Sequence, residues 1–259
     1  MPVELSTAHA VVLGIVEGVT EFLPISSTAH LELVGAALKL ADTEFRKSFE
    51  IIIQFGAILS VVVLYWSKFW NIEVLKKLVV AFIPTGVLGL ALHGFIKRAL
   101  LGNTTVILLA LAIGGVLLIL FERWRTGTTA EEIDFSEITY QRAALIGLFQ
   151  SVAMIPGVSR SAATIVGGSL IGVSKRTIVE FSFMLAVPTM LGASVLELYK
   201  DHSALGGHTV TLAVGFVVSF VVAIVAIKSF LAYLKRHDFT LFGWYRIVLA
   251  VAFYLIFVR

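Results

Sequence analysis

The sequence of 259 residues contains no cysteine and little charge. Without cysteine the chain has neither a disulfide framework nor thiolate chemistry. Charged residues make up 14% of it, whereas about 25% is usual for a soluble domain. The net charge is only +3 and the basic residues cluster at the ends of apolar runs, which favours membrane-flanking charge over a nucleic-acid surface. We therefore expect no nucleic-acid partner.

Hydrophobic residues, in contrast, account for 58% of the chain, and the mean hydropathy is +0.97. Several apolar runs approach the roughly twenty residues that cross the hydrocarbon core of a bilayer as a helix. The sequence predicts an all-α polytopic membrane protein, with residues 1–259 forming a single integral membrane domain. Met1–His9 lacks a basic region and carries Glu4, so we expect no cleavable signal peptide.

A polar motif interrupts the first apolar region. Glu17 and Glu21 lie four residues apart and therefore share one helical face. Pro24 disfavours helix at the preceding residue, so we expect this helix to end at about Leu23 and a second helix to begin near His30. The turn between them contains three hydroxyl residues, Ser26, Ser27 and Thr28. Residues 8–40 are thus predicted as a helix-turn-helix whose arms are too short and too polar to span.

The same pattern recurs about 130 residues later. Pro156 and Gly157 end a second short helix, and Arg160 follows between Ser159 and Ser161. Arg46 and Glu50 reappear as Arg176 and Glu180. We predict a duplication with a first repeat over residues 8–121, a polar linker over 122–140, and a second repeat over 141–258.

Each repeat is predicted to contain one re-entrant hairpin and three transmembrane helices. The predicted spans are 49–66, 78–96, 105–121, 178–198, 209–227 and 241–258. Short charged segments are predicted as linkers before or between them, Glu44–Ser48, Lys68–Lys77 and Lys175–Arg176. Because three spans separate the hairpins, the hairpins enter from opposite faces, which makes the repeat inverted and places its site at the midplane. The two turns are expected to face each other across one chamber.

Lysine and arginine are more frequent on the side that holds the loops 67–77, 122–142 and 228–240 than on the side that holds both termini. The positive-inside rule therefore predicts that the first side is cytoplasmic.

The first turn offers groups for metal and acid–base chemistry. Glu17 and Glu21 suit Mg²⁺ or Ca²⁺ held together with substrate phosphates, although two water-facing glutamates near a helix end are the plainer interpretation. Ser26, Ser27 and Thr28 precede a helix N-terminus, which attracts anions but also requires an ordinary N-cap. His30 lies within reach of Ser27 and is a candidate acid or base.

Arg160 lies deep between apolar runs, where a guanidinium requires an anion. Its planar fork suits a phosphate, and an ion pair with Glu17 or Glu21 is the alternative. Metal-binding carboxylates, a phosphate-binding arginine and a candidate nucleophile together indicate phosphoryl transfer on a lipid phosphate. Either Ser27 attacks the phosphorus or a metal-activated water does so. The place of Ser27 before a helix N-terminus slightly favours the serine, although the same place suits a serine that only binds the anion.

Two other functional classes are alternatives. A lipid-phosphate flippase or an ion-coupled transporter would use the same architecture, with binding and release in place of reaction. The other superfamily of membrane lipid phosphatases requires a Lys-x6-Arg-Pro segment and a Pro-Ser-Gly-His segment, and this sequence has neither.

The motifs EGVTEFLPISSTAH, from Glu17 to His30, and PGVSRSAAT, from Pro156 to Thr164, resemble those of the undecaprenyl-diphosphatase (bacitracin-resistance) family of bacterial integral membrane lipid phosphatases. The resemblance covers essentially the whole chain. Ala29 and Ala162 stand where the family commonly has glycine, and Gln150 stands where the first repeat has Glu17.

The resemblance implies hydrolysis of undecaprenyl diphosphate to undecaprenyl phosphate with a divalent cation, Mg²⁺ or Ca²⁺, which recycles the carrier lipid for peptidoglycan synthesis. It also implies a location in the bacterial inner membrane with the site open to the periplasmic face, competition with bacitracin for the substrate, and a possible homodimer. The candidate catalytic residues are Glu17, Glu21, Ser27, His30 and Arg160. The candidate metal ligands are Glu17 and Glu21, and the candidate substrate-binding residues are Ser26, Thr28, Ser159, Arg160, Ser161 and Thr164.

Overall fold

The structure is a computed structural model that describes residues 2–100, 102–125, 135, 138–200 and 208–259. Its regular structure is helical, as predicted. The α-helices are α1 Thr7–Thr20, α2 Ser27–Ala37, α3 Glu44–Leu64, α4 Trp66–Phe69, α5 Ile72–Phe95, α6 Thr104–Arg125, α7 Tyr140–Gln150, α8 Arg160–Leu170, α9 Lys175–Lys200, α10 Thr209–Leu234 and α11 Thr240–Phe253. A 3₁₀ turn, Ser151–Met154, follows α7, and π-helical turns, Ile96–Leu100 and Tyr254–Val258, follow α5 and α11.

Five helices within the described ranges are long and apolar enough to cross a membrane, which identifies a multi-pass membrane protein. They are Glu44–Leu64, Ile72–Phe95, Thr104–Arg125, Thr209–Leu234 and Thr240–Val258. The remaining predicted span corresponds to α9, a continuous helix of 26 residues that is not one of these five. Between residues 178 and 187, α9 is buried almost all round, so it is the central helix of the bundle.

The first hairpin differs from its prediction at both helix ends. Helix α1 ends at Thr20 rather than near Leu23, and Glu21 is its C-cap. Helix α2 begins at Ser27 rather than near His30. The reason is local, because Ser26 takes a left-handed conformation, with φ of 71°, and its hydroxyl caps α2. The turn is therefore shifted toward the N-terminus, so that Glu21 and Phe22 lie in it while Ser27 and Thr28 belong to α2.

The second hairpin breaks in a similar way. Helix α7 ends at Gln150 and is followed by a 3₁₀ turn, and α8 begins at Arg160. Ser159 sets this start because its hydroxyl accepts the Ala162 amide at 3.2 Å. Gly157 takes a φ of +93° in the turn, a conformation that glycine adopts without strain.

The predicted linkers Glu44–Ser48 and Lys175–Arg176 are instead the first turns of α3 and α9. Side-chain pairs one helical turn apart bind within these turns, at 2.9 Å from Arg46 to Glu50 and at 3.2 Å from Arg176 to Glu180. Charged residues thus extend both helices beyond their apolar runs.

Helices also extend into predicted loops. Helix α5 begins at Ile72, within the predicted loop Lys68–Lys77, because the Asn71 side chain caps its first turn. Helix α10 continues to Leu234, beyond its predicted end at Ile227. Most of the predicted polar linker 122–140 lies outside the described residues, although α6 continues to Arg125.

The helices pack in pairs that match between the two halves. Helix α1 lies on α10 and α7 lies on α5, while α10 packs on α3 and α5 packs on α9. Glycines allow the two hairpin helices to approach their neighbours, Gly14 against the backbone of α10 at Gly215 and Gly147 against the backbone of α5 at Ala81. The aromatic ring of Phe22, in the first turn, packs edge-on against Phe183 of α9, with ring centroids 5.3 Å apart.

This packing predicts the effect of adding one methyl group at the α5–α7 crossing. In Gly147→Ala the new methyl meets the backbone carbonyl of Ala81, which has no room to move, so we expect a loss of about 1–3 kcal/mol of stability. In the control Gly89→Ala, on α5, the nearest atom is the flexible Met154 Cε at 3.8 Å, and stability should be kept or raised. Thermal unfolding in detergent would measure the stability of both variants. Equal unfolding midpoints would contradict the close contact of α5 and α7 at Gly147.

Candidate functional site

The two turns are in direct contact. The backbone carbonyl of Leu23, in the first turn, accepts hydrogen bonds from the Ser161 hydroxyl at 2.8 Å and from the Ser159 hydroxyl at 3.4 Å. Both serines belong to the second motif and both are buried. The residues that were predicted to face each other thus lie together, joined by side chains of one turn on the backbone of the other.

Glu21 is the link between the candidate residues of both turns. One of its carboxylate oxygens accepts the Ser27 hydroxyl at 2.5 Å, and the other lies 2.8 Å from Nη2 of Arg160. The Glu21 side chain is only 5% exposed, so both contacts are shielded from water and strong. The alternative interpretation of Arg160 as half of a buried ion pair holds in this structure, with Glu21 as its partner.

Arg160 uses only part of its hydrogen-bonding capacity. Nη1 donates to the carbonyl and the hydroxyl of Ser182 on α9, at 2.7 and 3.3 Å. The guanidinium carbon lies 5.8 Å from the centre of the Phe22 ring, an arrangement for cation–π attraction. Nε is buried and, within the described part of the chain, bonds to nothing. The guanidinium is therefore held in place with a donor left for an anion.

Glu17 is fully buried, and neither of its carboxylate oxygens has a hydrogen-bond partner among the residues that the structure describes. Its counterpart in the second hairpin, Gln150, is fully satisfied in contrast. The amide nitrogen of Gln150 donates to Thr85 and Thr189, at 2.9 and 3.1 Å. A buried carboxylate without a donor is costly unless it takes up a proton or a cation, so Glu17 is suited to hold one.

The donor set at the turns fits a divalent ion that is bound together with a phosphate. Across the described residues, no three His, Asp or Glu side chains form a group that could hold a metal ion alone. Mg²⁺ is commonly bound by one or two carboxylates, with substrate oxygens and water completing its coordination. Glu17, with Glu21 one helical turn away, provides this number of ligands.

The hydrogen bonds of His30 do not involve Ser27, which the sequence placed within its reach. Its Nδ1 lies 2.7 Å from the carbonyl of Ser26, and its Nε2 lies 2.8 Å from the hydroxyl of Tyr245 on α11. Since a carbonyl only accepts, Nδ1 donates, and in the neutral imidazole Nε2 accepts from Tyr245. The sequence could not show this contact because 215 residues separate the two side chains.

The remaining candidate residues differ in their surroundings. The Ser26 hydroxyl caps α2 by accepting the Ala29 amide at 3.5 Å. Thr28 is exposed. Thr164 is fully buried, and its hydroxyl bonds to Ser182 and to the backbone of α8. Thr164 thus supports Arg160 and Ser182 from behind, while Thr28 lies on the accessible side of the turn.

Three residues of the site were missed in the sequence, Ser182, Tyr245 and Arg246. Arg246 had a readable signal, since it is an arginine inside the apolar run predicted as the last span, and an intramembrane charge marks a functional position by default. It is 1% exposed and hydrogen-bonds to the carbonyls of Pro24 and Gly157, one in each turn.

Comparison with known proteins identifies the family of this chain. Residues 10–252 match the family model described as bacitracin resistance protein BacA. A protein of Sulfurihydrogenibium sp. is 49% identical over 97% of this chain and 99% of its own length. Proteins of Aquifex aeolicus and Flavobacterium johnsoniae are 45% and 47% identical, covering 95% and 97% of this chain and 96% of their own lengths. Each of the three is named undecaprenyl-diphosphatase. The chain therefore belongs to the BacA family of bacitracin resistance proteins.

Proposed function

We propose that this protein hydrolyses undecaprenyl diphosphate to undecaprenyl phosphate and inorganic phosphate. The observation that carries the proposal is the Glu21 carboxylate, which joins the hydroxyl of Ser27 to the guanidinium of Arg160. A base, a nucleophile and an anion-binding cation are thereby assembled in one buried place, as phosphoryl transfer requires. The name shared by the relatives supports this substrate.

Purified protein in liposomes that contain undecaprenyl diphosphate should release inorganic phosphate. A transporter with the same site would move the lipid between leaflets and leave the diphosphate intact. Phosphate release and lipid translocation are therefore measured in the same vesicles, with empty liposomes as the control. Translocation without phosphate release would contradict the proposal.

The geometry favours Ser27 as the nucleophile. Its oxygen would bond to the terminal phosphorus while the anhydride P–O bond breaks, undecaprenyl phosphate leaves, and the Ser27 proton passes to Glu21 at 2.5 Å. Water would then split the phosphoserine and release phosphate. In the alternative route, water attacks directly and Ser27 only orients the phosphate. His30, held between Ser26 and Tyr245, would serve proton transfer at a distance from Ser27.

Rapid quench with substrate labelled in the terminal phosphate separates the two routes. The covalent route predicts label trapped on Ser27, and loss of both label and turnover in Ser27→Ala. The matched control is Ser60→Ala, which removes another buried serine, one that donates to the backbone of α3 and lies outside both turns. Substantial turnover by Ser27→Ala would exclude the serine as nucleophile.

Arg160 would release Glu21 when the diphosphate binds and turn its fork to the phosphate oxygens. Arg160→Lys keeps the charge but loses the paired donors, so kcat/KM should fall on the order of 100-fold. Arg176→Lys, at an exposed position on α9, is the matched control and should behave as the unaltered protein does. Steady-state phosphate release measures both, and an active, folded Arg160→Ala protein would refute the role.

Glu17 and Glu21 would hold a divalent cation, Mg²⁺ or Ca²⁺, which neutralises charge on the diphosphate when bound. The unpartnered oxygens of Glu17 support this role. Ser26, Ser159 and Ser161 would keep the two turns shaped around the phosphates, and Thr28 would contact the substrate from the exposed side.

Glu17→Gln gives the first hairpin the residue that the second hairpin has at the equivalent position, Gln150. We expect this substitution to abolish both turnover and cation binding. Calorimetric titration with Mg²⁺ in the presence of a non-hydrolysable diphosphonate gives a readout apart from activity. Glu32→Gln, whose side chain is 42% exposed, is the control. If Glu17→Gln binds Mg²⁺ as strongly as the unaltered protein does, Glu17 is not a ligand of the cation.

The matched helix pairs support an inverted repeat with two re-entrant hairpins, because the α1–α10 and α10–α3 contacts have counterparts in the α7–α5 and α5–α9 contacts. We place the protein in the bacterial inner membrane with its site open to the periplasm. Competition with bacitracin for the substrate and a homodimer remain predictions.

A further inference from the structure

Arg246 lies within α11, and its guanidinium hydrogen-bonds to four backbone carbonyls. Nη1 donates to Pro24 of the first turn at 3.2 Å, and Nη2 donates to Gly157 of the second turn at 3.1 Å. The other two acceptors lie on α6, Leu111 at 3.3 Å and Ala110 at 3.1 Å. One side chain thus connects both turns to the α6–α11 pair.

Glycines on α6 provide the space that Arg246 occupies. A methyl group at Gly114 would overlap the Arg246 guanidinium, and one at Gly115 would meet the backbone of α11 at Gly243. The close approach of α6 and α11 therefore depends on residues without side chains. Gly114 and Gly115 thus leave a space on α6 that the Arg246 guanidinium fills.

The carbonyls that Arg246 and the serines capture belong to strained or broken backbone. Ser26, two residues after Pro24, has a φ of 71°, which is rare for a residue with a side chain. Such a conformation persists only where its surroundings hold it. Arg246 donates to the carbonyl of Pro24, and Ser161 donates to the carbonyl of the preceding residue, Leu23. Ser27, the first residue of α2, therefore receives its position from contacts outside its own hairpin.

Arg246 has no carboxylate ion pair within the described ranges of the chain, unlike Arg160, which is paired with Glu21. Four of its five N–H groups are engaged by carbonyls. Its donors are therefore directed at the backbone of the protein rather than presented to a ligand.

We propose that Arg246 is a positioning residue that keeps Glu21 and Ser27 of the first turn in register with Arg160 of the second. This inference rests on the proposed hydrolysis. Arg246 acts through the backbone of both turns. Its loss should therefore displace the side chains of Glu21, Ser27 and Arg160 without removing them. Misplacement of reacting groups lowers the rate of the chemical step more than it weakens binding of the substrate.

Kinetics of Arg246→Lys test the proposal first. Lysine keeps the charge but cannot reach four carbonyls at once, so kcat should fall on the order of 100-fold, as for a displacement of about 1 Å, while KM changes little. Arg46→Lys is the matched control, since Arg46 is also buried but contacts neither turn, and its kcat should stay close to that of the unaltered protein. A kcat of Arg246→Lys equal to that of this control would overturn the proposal.

A distance measurement provides a readout apart from activity. Because the chain has no cysteine, spin labels can be placed at the exposed positions Val19 and Ile155, one in each hairpin. Pulsed electron paramagnetic resonance should give a narrow distribution of label-to-label distances when Arg246 is present and a broad one in Arg246→Met. An unchanged narrow distribution in that variant would overturn the proposal.

Gly114→Ala keeps the proposal testable if Arg246→Met fails to fold. It retains the arginine but drives a methyl group into the guanidinium, and we expect it to broaden the same distribution and to lower kcat. If the unaltered protein releases no phosphate, the proposed hydrolysis fails, whereas the distances still decide whether Arg246 holds the turns in register.

Discussion

Two helix breaks inside an apolar protein create the constraint on which this structure depends. A break frees backbone carbonyls from helical hydrogen bonding, and carbonyls in a buried turn, such as those of Pro24 and Gly157, then need donors from elsewhere. Side chains from other helices supply these donors. Ser161 and Arg246 donate to carbonyls of the first turn, and Arg246 also donates to the carbonyl of Gly157 in the second. Satisfying the backbone therefore forces the two turns together, and the site forms where they meet.

The two hairpins share a construction but have different chemical roles. Glu17 and Gln150 occupy equivalent positions, yet Gln150 is bound by two threonine hydroxyls while Glu17 has no partner within the described structure. An amide at this position completes a neutral polar cluster. A carboxylate at the same position is a buried charge, which is costly unless a proton or a cation neutralises it. The two hairpins thus differ at this position in what they offer to a proton or a cation.

Periodicity and proline placement predicted the helical, multi-pass character and both hairpins, because apolar length and helix breaking act locally. Helix ends were less predictable. Ser26 and Ser159 start α2 and α8 through capping bonds, and ion pairs such as Arg46–Glu50 extend α3 past its apolar run. Capping and i,i+4 pairing can be read in hindsight, but several residues in each segment could have served, and only the folded backbone selects among them.

The reactive groups could be read from the sequence alone, since two carboxylates, a histidine and an arginine stand in apolar surroundings, where a polar or ionisable residue marks a candidate functional position. The tertiary structure decided which of them touch. It assigned the Ser27 hydroxyl to Glu21 rather than His30, placed Tyr245 on His30, and brought Arg246 beneath both turns. These contacts join residues on different helices, so they depend on how the helices cross. That crossing is set by glycine-mediated packing between the two halves, which no local pattern encodes.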